Sequence, residues 1–481
     1  MDNLDIATIR KRSINGVLAL ISRTFILNII AYVASIIIFT ILSPNQVGVY
    51  TAVTAIQRLI SFFTDFGLGA ALIQKKDMLN NEDLATTFTL QTLITGSIFM
   101  IIFLTRGAIG SFFHLENDAI MLLVVLVFTI FLSSFKIIPS ILLERKILFH
   151  KLIIPHIVEQ FAFYGILVYL VINKQGLNSY TWAFLVSSVI SIPFYFYVSP
   201  WKPKLGIHKG SLSHLRYGIG FQAKNILATV KDDLLTVILA KFLPFAQIGY
   251  IGFAQRNSFF AFRYIVDSVT KVSFSTYARM QENKVLLRSA IEKSLFFVSF
   301  TMFPISFGVI VTMPYIIEYF PNWHNKWEPA LLSVVFFSLN ALVSSFSNIL
   351  VNVLDATGKV KITLRLMVIW TALTWILTPV FIIFYGYNGV AIASFLVTLS
   401  IFYTIYLVKE VVVFDFVKSI YKPFLSSCIM ILGVFITSQL FVTNFFTLFI
   451  TIGFGVCIYL ISMYLIAKEQ LKEGFRVILR K

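Results

Sequence analysis

Residues 16–41 read GVLALISRTFILNIIAYVASIIIFTI and contain a single charged side chain, Arg23. The stretch exceeds the ~20 apolar residues that a helix needs to cross a bilayer. It is also too continuously apolar for a strand of a membrane β-barrel, which has about 10 alternating residues. Arg10, Lys11 and Arg12 precede it, and no small-residue cleavage site follows it. We therefore expect a retained first transmembrane helix rather than a removed signal peptide.

Thirteen further stretches have the same character, near residues 49–73, 84–104, 119–140, 152–173, 179–198, 217–240, 248–270, 294–317, 329–353, 366–385, 389–408, 423–441 and 447–467. Of the 481 residues, 58% are hydrophobic and 13% are charged. A soluble protein of this length could not cover so much apolar surface. This excludes a cytosolic enzyme, a secreted disulfide scaffold and a disordered chain. The sequence predicts an all-α polytopic membrane protein with about 14 transmembrane helices.

The net charge of +17 follows the membrane topology. Of the 39 Lys and Arg residues, 27 lie on alternating connections that begin with the N-terminus, whereas the other connections hold only Arg106, Lys174, Lys241 and Lys326. This asymmetry predicts that both termini are cytoplasmic, with fourteen crossings between them. The basic charge therefore indicates topology and membrane lipids rather than a nucleic-acid partner.

A gapless shift of 201 residues superposes the first helix on the seventh. It aligns Arg23 with Lys224, Ile37 with Ile238, Leu42 with Leu243, Gln46 with Gln247, and Gly48 with Gly249. Parallel repeats of this kind occur in transporters that hold their substrate between the two halves. We predict two pseudo-symmetric lobes of six helices, residues 1–200 and 201–415, around a central cavity, with helices 13 and 14 and a cytoplasmic tail in residues 416–481.

Eight cations remain inside the apolar stretches. Lys136 and Arg365 lie near cytoplasmic helix ends, where we expect their side chains to extend to the interface. The deeper six are Arg23, Arg58, Lys224, Lys231, Arg256 and Arg263. Each costs about 2.5–3.5 kcal/mol at the bilayer centre, so such residues persist where they face a partner or a watery cavity. The pairs Lys224–Lys231 and Arg256–Arg263 are seven residues apart, which places each pair on one helix face.

These cations lie on helices 1, 2, 7 and 8, which the repeat makes equivalent. Because an arginine fork matches phosphate oxygens, the set is suited to an anionic head group such as a diphosphate. The intramembrane acids are Asp65, Glu159, Asp232, Asp233 and Asp267. They can pair with the cations to hold helices together, or bind H⁺ or Na⁺ and couple its gradient to transport. We expect no other cofactor, and the histidines and two cysteines show no metal-ligand spacing.

Four segments carry a family resemblance: LSPNQVGVYTAVTAIQRLISFFTDFGLGAALIQKKD (42–77), LLERKILFHK (142–151), NKWEPALLSVVFF (325–337) and NVLDATGKVKITLR (352–365). They resemble bacterial polysaccharide (oligosaccharide) flippases of the multidrug/oligosaccharidyl-lipid/polysaccharide exporter superfamily. The resemblance implies twelve to fourteen helices in two lobes, alternating access in the bacterial cytoplasmic membrane, and an undecaprenyl-diphosphate-linked oligosaccharide as substrate. Related lipid flippases carry arginines in the first, second and eighth helices, which match Arg23, Arg58 and Arg256 or Arg263 by position.

The leading hypothesis is a flippase in polysaccharide biosynthesis (O-antigen, capsule or exopolysaccharide), working beside the polysaccharide polymerase machinery. The alternative on the same scaffold is an antiporter that exchanges drugs or cations for H⁺ or Na⁺, although deep arginines disfavour cationic substrates. An enzyme is not expected, because the sequence shows no nucleophile–base pair, Gly-rich phosphate loop or ATP motif. Asp232 and Asp233 are adjacent, but they lie inside an apolar run rather than on a catalytic loop.

Overall fold

A computed structural model describes residues 26–64, 69, 72–73, 79–208 and 229–479. Most of these residues are helical, and no β-strand occurs among them. The predicted all-α class is therefore confirmed. The chain divides into two compact units between Gly249 and Tyr250.

The first unit contains the helices that correspond to the first seven apolar stretches. They are α1 (Ile26–Ile41), α2 (Pro44–Thr64), α3 (Asn81–Phe113), α4 (Asn117–Arg145), α5 (Phe149–Ile172), α6 (Asn178–Val198) and α7 (Leu235–Phe242), the last preceded by a π-helical turn over Val230–Leu234. The next helix, α8 (Phe245–Ser258), begins in this unit and continues into the second.

The second unit contains the remaining helices. They are α9 (Phe260–Met280), α10 (Lys284–Tyr319), a 3₁₀ turn (Glu328–Ala330), α11 (Leu331–Ala356), α12 (Val360–Tyr385), α13 (Asn388–Thr398), α14 (Ile401–Val411), α15 (Phe416–Phe441) and α16 (Phe445–Leu479). Predicted helix 8 is thus built from α8 and α9, and predicted helix 12 from α13 and α14. Predicted helices 13 and 14 are α15 and α16.

Packing inside the two units follows one pattern. In the first unit α4 packs against α2, α3 and α6, and α5 packs against α6. In the second unit α11 packs in the same way against α9, α10 and α13, and α12 packs against α13. Each pair in the first unit therefore recurs six predicted transmembrane helices later, which agrees with the predicted pseudo-symmetry. Helices α15 and α16 pack on each other and on α10, outside this pattern.

The repeat also forms a direct contact within the first unit, which we call the glycine crossing (Pro44, Gly48, Phe245 and Gly249). A Cβ atom at Gly48 would lie 1.6 Å from the carbonyl oxygen of Phe245, and one at Gly249 would lie 2.0 Å from that of Pro44. The partners are related by the same shift of 201 residues. The first turns of α2 and α8 therefore cross backbone to backbone, and only glycine fits at either position.

Ten helices of the described residues are long and apolar enough to cross a membrane. They are α3 to α6, α10, the 3₁₀ turn with α11, α12, α13 with α14, α15, and α16 to Gln470. Helices α2, α8 and α9 do not meet this criterion, and predicted helices 1 and 7 are described only in part. The protein is a multi-pass membrane protein in which the described helices that miss the criterion at full length, α2 and α8 with α9, are the equivalent predicted helices 2 and 8.

Small polar residues join neighbouring helices of the second unit. The Asn352 side chain on α11 donates to the backbone oxygen of Thr270 and to the hydroxyl of Ser273 on α9, at 2.9 and 2.8 Å. The hydroxyl of Ser258 on α8 donates to the carbonyl of Val334 on α11, at 3.1 Å. Such bonds fix helix register where lipid supplies no hydrophobic driving force.

The predicted lobe boundaries at residues 200 and 415 fall in the connections after α6 and after α14. The structural division lies later, after Gly249, because α7 packs against α2 of the first unit. The lobe assignment 1–200, 201–415 and 416–481 stays a prediction.

Candidate functional site

Arg58 and Asp233 form an ion pair between predicted helices 2 and 7. Arg58 lies in the fourth turn of α2, and Asp233 lies in the π-helical turn that precedes α7. The Nε atom of Arg58 is 2.5 Å from Oδ1 of Asp233. The Arg58 side chain is 52% exposed and the Asp233 side chain 19%. The structure therefore brings together one predicted substrate-binding cation and one predicted ion-coupling acid.

The π-helical turn carries a second ion pair. Lys231 Nζ is 2.5 Å from Oδ1 of Asp232, its neighbour in sequence. A π turn is wider than an α turn, is rare, and is frequent at functional sites. Thr236 donates its hydroxyl to the carbonyl of Asp232 at 2.8 Å and so satisfies a backbone group of this turn. We call Arg58, Lys231, Asp232 and Asp233 the α2–α7 charge cluster.

Arg256 and Arg263 lie in the second unit, on α8 and α9. The Nε atom of Arg256 is buried and has no hydrogen-bond partner within the described part of the chain. Arg263 is exposed, and both guanidinium groups are close enough to Tyr264 to interact with its phenol electrostatically. Asp267, one helical turn beyond Arg263, is also exposed. A buried donor without a partner costs free energy, so Arg256 is suited to receive an anionic ligand.

Glu159 has a partner that the sequence analysis missed. Lys136 on α4 donates from Nζ to Oε1 of Glu159 on α5 at 2.7 Å. Lys136 is buried, so the expectation that its side chain extends to the membrane interface was wrong. The Nζ atom also lies 5.9 Å from the ring centroid of Tyr195, whose hydroxyl is 3.3 Å from Nε2 of His156. The sequence contained one signal that could have predicted this pair, namely a cation and an acid on adjacent predicted helices.

The remaining predicted site residues are Arg23, Asp65 and Lys224, which lie outside the described residues. Among the residues that are described, no group of three or more His, Cys, Asp or Glu side chains could hold a metal ion. The predicted site residues that the structure describes lie in three places: the α2–α7 charge cluster, the Lys136–Glu159 pair, and the two arginines of α8 and α9 with Asp267.

Comparison with known protein families shows which family the chain belongs to. A family model described as "Polysaccharide biosynthesis protein" matches residues 37–331, more than half of the chain. The chain belongs to this polysaccharide biosynthesis protein family. Lipopolysaccharide biosynthesis protein WzxC of Escherichia coli (strain K12) is 22% identical to it over 377 residues, which cover 76% of this chain and 74% of WzxC.

Solved structures show which fold this polysaccharide biosynthesis protein has. The lipid II flippase MurJ, in an inward closed conformation, superposes with a TM-score of 0.77 at 19% identity, over 94% of this chain and 99% of MurJ. The MATE multidrug transporter DinF-BH superposes with a TM-score of 0.53 at 15% identity, over 88% and 98% of the respective chains. The family model thus confirms the expected membership of a polysaccharide family, and these solved structures confirm the fold. MurJ is named as a flippase and DinF-BH as a transporter, and the similarity to them shows the fold of this chain.

Proposed function

We propose that this protein is a flippase that moves an undecaprenyl-diphosphate-linked oligosaccharide repeat unit from the cytoplasmic to the periplasmic leaflet by alternating access. The family and the names of WzxC and MurJ support a lipid-linked sugar as substrate. The observation that carries the proposal is the cationic set on predicted helices 1, 2, 7 and 8, above all the Nε of Arg256, which is buried and has no hydrogen-bond partner among the described residues.

A flippase is needed because a diphosphate with several hydrated sugars cannot cross about 30 Å of hydrocarbon unaided. In the proposed mechanism the head group enters a central cavity while the polyprenyl tail stays in the bilayer. Arg23, Arg58, Lys224, Lys231, Arg256 and Arg263 hold the diphosphate, and polar side chains contact the sugars. The cavity and the role of each cation belong to the proposal.

The energy source belongs to the proposal as well. We assign it to an H⁺ or Na⁺ gradient, with no further cofactor, and take Asp65, Asp232, Asp233, Asp267 and Glu159 as the candidate acids. Of these, Asp232, Asp233 and Glu159 are paired with cations in the structure, whereas Asp267 is exposed. An exposed acid of this kind is the simpler site for an incoming ion.

The membrane location and the partners of the protein belong to the same proposal. We place the protein in the bacterial cytoplasmic membrane with both termini in the cytoplasm, on the distribution of Lys and Arg. Its partners would be the lipid-linked oligosaccharide, membrane lipids and the polymerase machinery that uses the exported unit.

The second candidate is an antiporter for drugs or cations, which the similarity to the MATE transporter fold favours. A cationic substrate is attracted to an acidic cavity, and like charges across a binding site cost several kcal/mol. The arginines of α2, α8 and α9 therefore favour an anionic substrate.

Mass spectrometry of lipid extracts tests the choice. Cells that lack the protein should accumulate a complete polyprenyl-diphosphate repeat unit, and Arg58→Ala or Arg256→Ala should fail to restore export at normal protein abundance. Arg106→Ala is the matched control, because this exposed guanidinium packs over Phe103 at 4.3 Å on a predicted outer connection. Full export with both Arg58 and Arg256 replaced would refute the cationic site. An unchanged lipid profile with altered sensitivity to cationic drugs would support the antiporter.

A further inference from the structure

The α2–α7 charge cluster is electrically balanced. Its two cations, Arg58 and Lys231, each contact one carboxylate, that of Asp233 or Asp232. A diphosphate that approached Arg58 would thus meet a cation already engaged by a carboxylate. Binding at this place requires that the ligand compete with Asp233 for the same guanidinium.

The geometry of the pair favours such competition. The contact joins Nε of Arg58 to one oxygen of Asp233, and about half of the Arg58 side chain remains exposed. Asp233 is the more buried partner, at 19% exposure. An anion can therefore reach the guanidinium from its exposed side without first displacing the helix that carries Asp233.

The π-helical turn positions Asp233 against Arg58. It widens the chain over Val230–Leu234, where Asp232 pairs with Lys231 inside the turn and Asp233 pairs with Arg58 on α2. Two adjacent acids thus have separate partners. Asp232→Asn removes the same charge from the same turn but leaves the Arg58 pair, so it provides a matched control.

We infer that Asp233 is a displaceable counter-ion, which neutralises Arg58 in the empty transporter and yields it to the diphosphate of the substrate. The inference rests on the proposed function. An alternating-access carrier passes through its cycle both loaded and empty, and a lone arginine among apolar helices is costly. Exchange of one anion for another keeps Arg58 paired in both halves of the cycle.

Binding of farnesyl diphosphate to the purified full-length protein in detergent tests this positioning role. Asp233→Asn should bind this probe about two- to fivefold more tightly than wild type, the range expected when a half-exposed competing ion pair is removed. The gain should vanish when Arg58→Ala is added, because the competition acts only through that guanidinium. Asp232→Asn should show a smaller gain.

Several outcomes decide the matter. Equal or weaker binding by Asp233→Asn would overturn the inference, because the ion pair would then only hold the two helices together. An equal gain from Asp232→Asn would also overturn it, because the gain would then be a general effect of removing negative charge. If the wild type binds the probe no better than Arg58→Ala, Arg58 does not hold the diphosphate and the inference fails, while the lipid extracts of cells that lack the protein still decide the proposed function. Thermal melting verifies folding, and Asp233→Ser replaces Asp233→Asn if the latter does not fold.

Discussion

At the scale of a residue, Lys326 occupies an unusual position in the connection between α10 and α11. Trp323 and Trp327 on either side of it are buried, and its Nζ lies 5.7 Å from the centroid of the Trp327 ring. Its backbone N–H donates to the carbonyls of Trp323 and His324 at 3.1 and 2.7 Å. Burial lowers the pKa of Lys326 to about 8, because the charged ammonium loses hydration there.

The lowered pKa of Lys326 predicts a pH-dependent reactivity. Acylation by acetic anhydride, measured by peptide mass spectrometry, should reach half of its maximum near pH 8 in the folded protein. The same lysine in the denatured protein, with its ordinary pKa of about 10.4, is the control. Between these two pKa values the folded state binds fewer protons, so Lys326 makes the free energy of unfolding rise with pH in that window. Identical curves for folded and denatured protein would contradict the prediction.

The sequence identified which charges are functional candidates but not how they pair. Asp233 and Glu159 were both recognised as intramembrane acids, yet their partners Arg58 and Lys136 are 175 and 23 residues away. Hydropathy gives the depth of a residue in a helix, whereas pairing depends on the direction in which each helix faces. That direction is set by tertiary packing and, at Asp233, by a π-helical turn that no residue pattern announced.

At the scale of elements, the glycine crossing predicts a stability effect. Gly48→Ala places a methyl group 1.6 Å from the backbone oxygen of Phe245, and a backbone atom cannot rotate away as a side-chain end can. We expect a loss of at least about 2 kcal/mol in the free energy of unfolding. Gly165→Ala, in α5, is the control, because nothing lies within 4 Å of its added Cβ.

Thermal melting of the two purified glycine variants separates the effects. Gly165→Ala should melt at or slightly above the wild-type temperature, because alanine has the higher helix propensity. Gly48→Ala should melt several degrees lower, and Gly249→Ala should behave in the same way, since the contact is reciprocal. A Gly48→Ala protein as stable as Gly165→Ala would show that α2 and α8 do not cross in backbone contact.

The internal repeat shows how much of the helix arrangement a sequence pattern can predict. The shift of 201 residues correctly made Gly48 and Gly249 equivalent, but it did not reveal that the two glycines meet. The breaks at Phe259 and at Leu399–Ser400, which divide predicted helices 8 and 12, were also missed. The break at Leu399–Ser400 lies in a continuously apolar stretch, whereas the break at Phe259 follows the polar residues 255–258. Hydropathy predicts neither break, because it does not record local backbone geometry.

At the scale of the whole molecule, the membrane topology is predicted from the charge of the connections. Helix α10 allows the clearest test of this prediction. This helix has 36 residues, about 54 Å in length, which is more than enough to cross a bilayer. Arg279, Lys284, Arg288 and Lys293 lie at or near its start, whereas Lys326 is the nearest cation after its end. The positive-inside rule therefore places the start of α10 in the cytoplasm and its end outside.

Two exposed glutamates flank α10 and allow a matched experiment. In a protein whose Cys428 and Cys457 are replaced by serine, Glu328→Cys should react with an impermeant maleimide on intact spheroplasts. Glu282→Cys should react only after the membrane is permeabilised. The opposite pattern would invert the topology, and the proposed direction of transport would lose its physical basis, since the cytoplasmic tail and the Lys- and Arg-rich connections would then lie outside. Equal labelling of both positions on intact spheroplasts would show that α10 does not cross the membrane, and the fourteen-helix topology would fail at its longest helix.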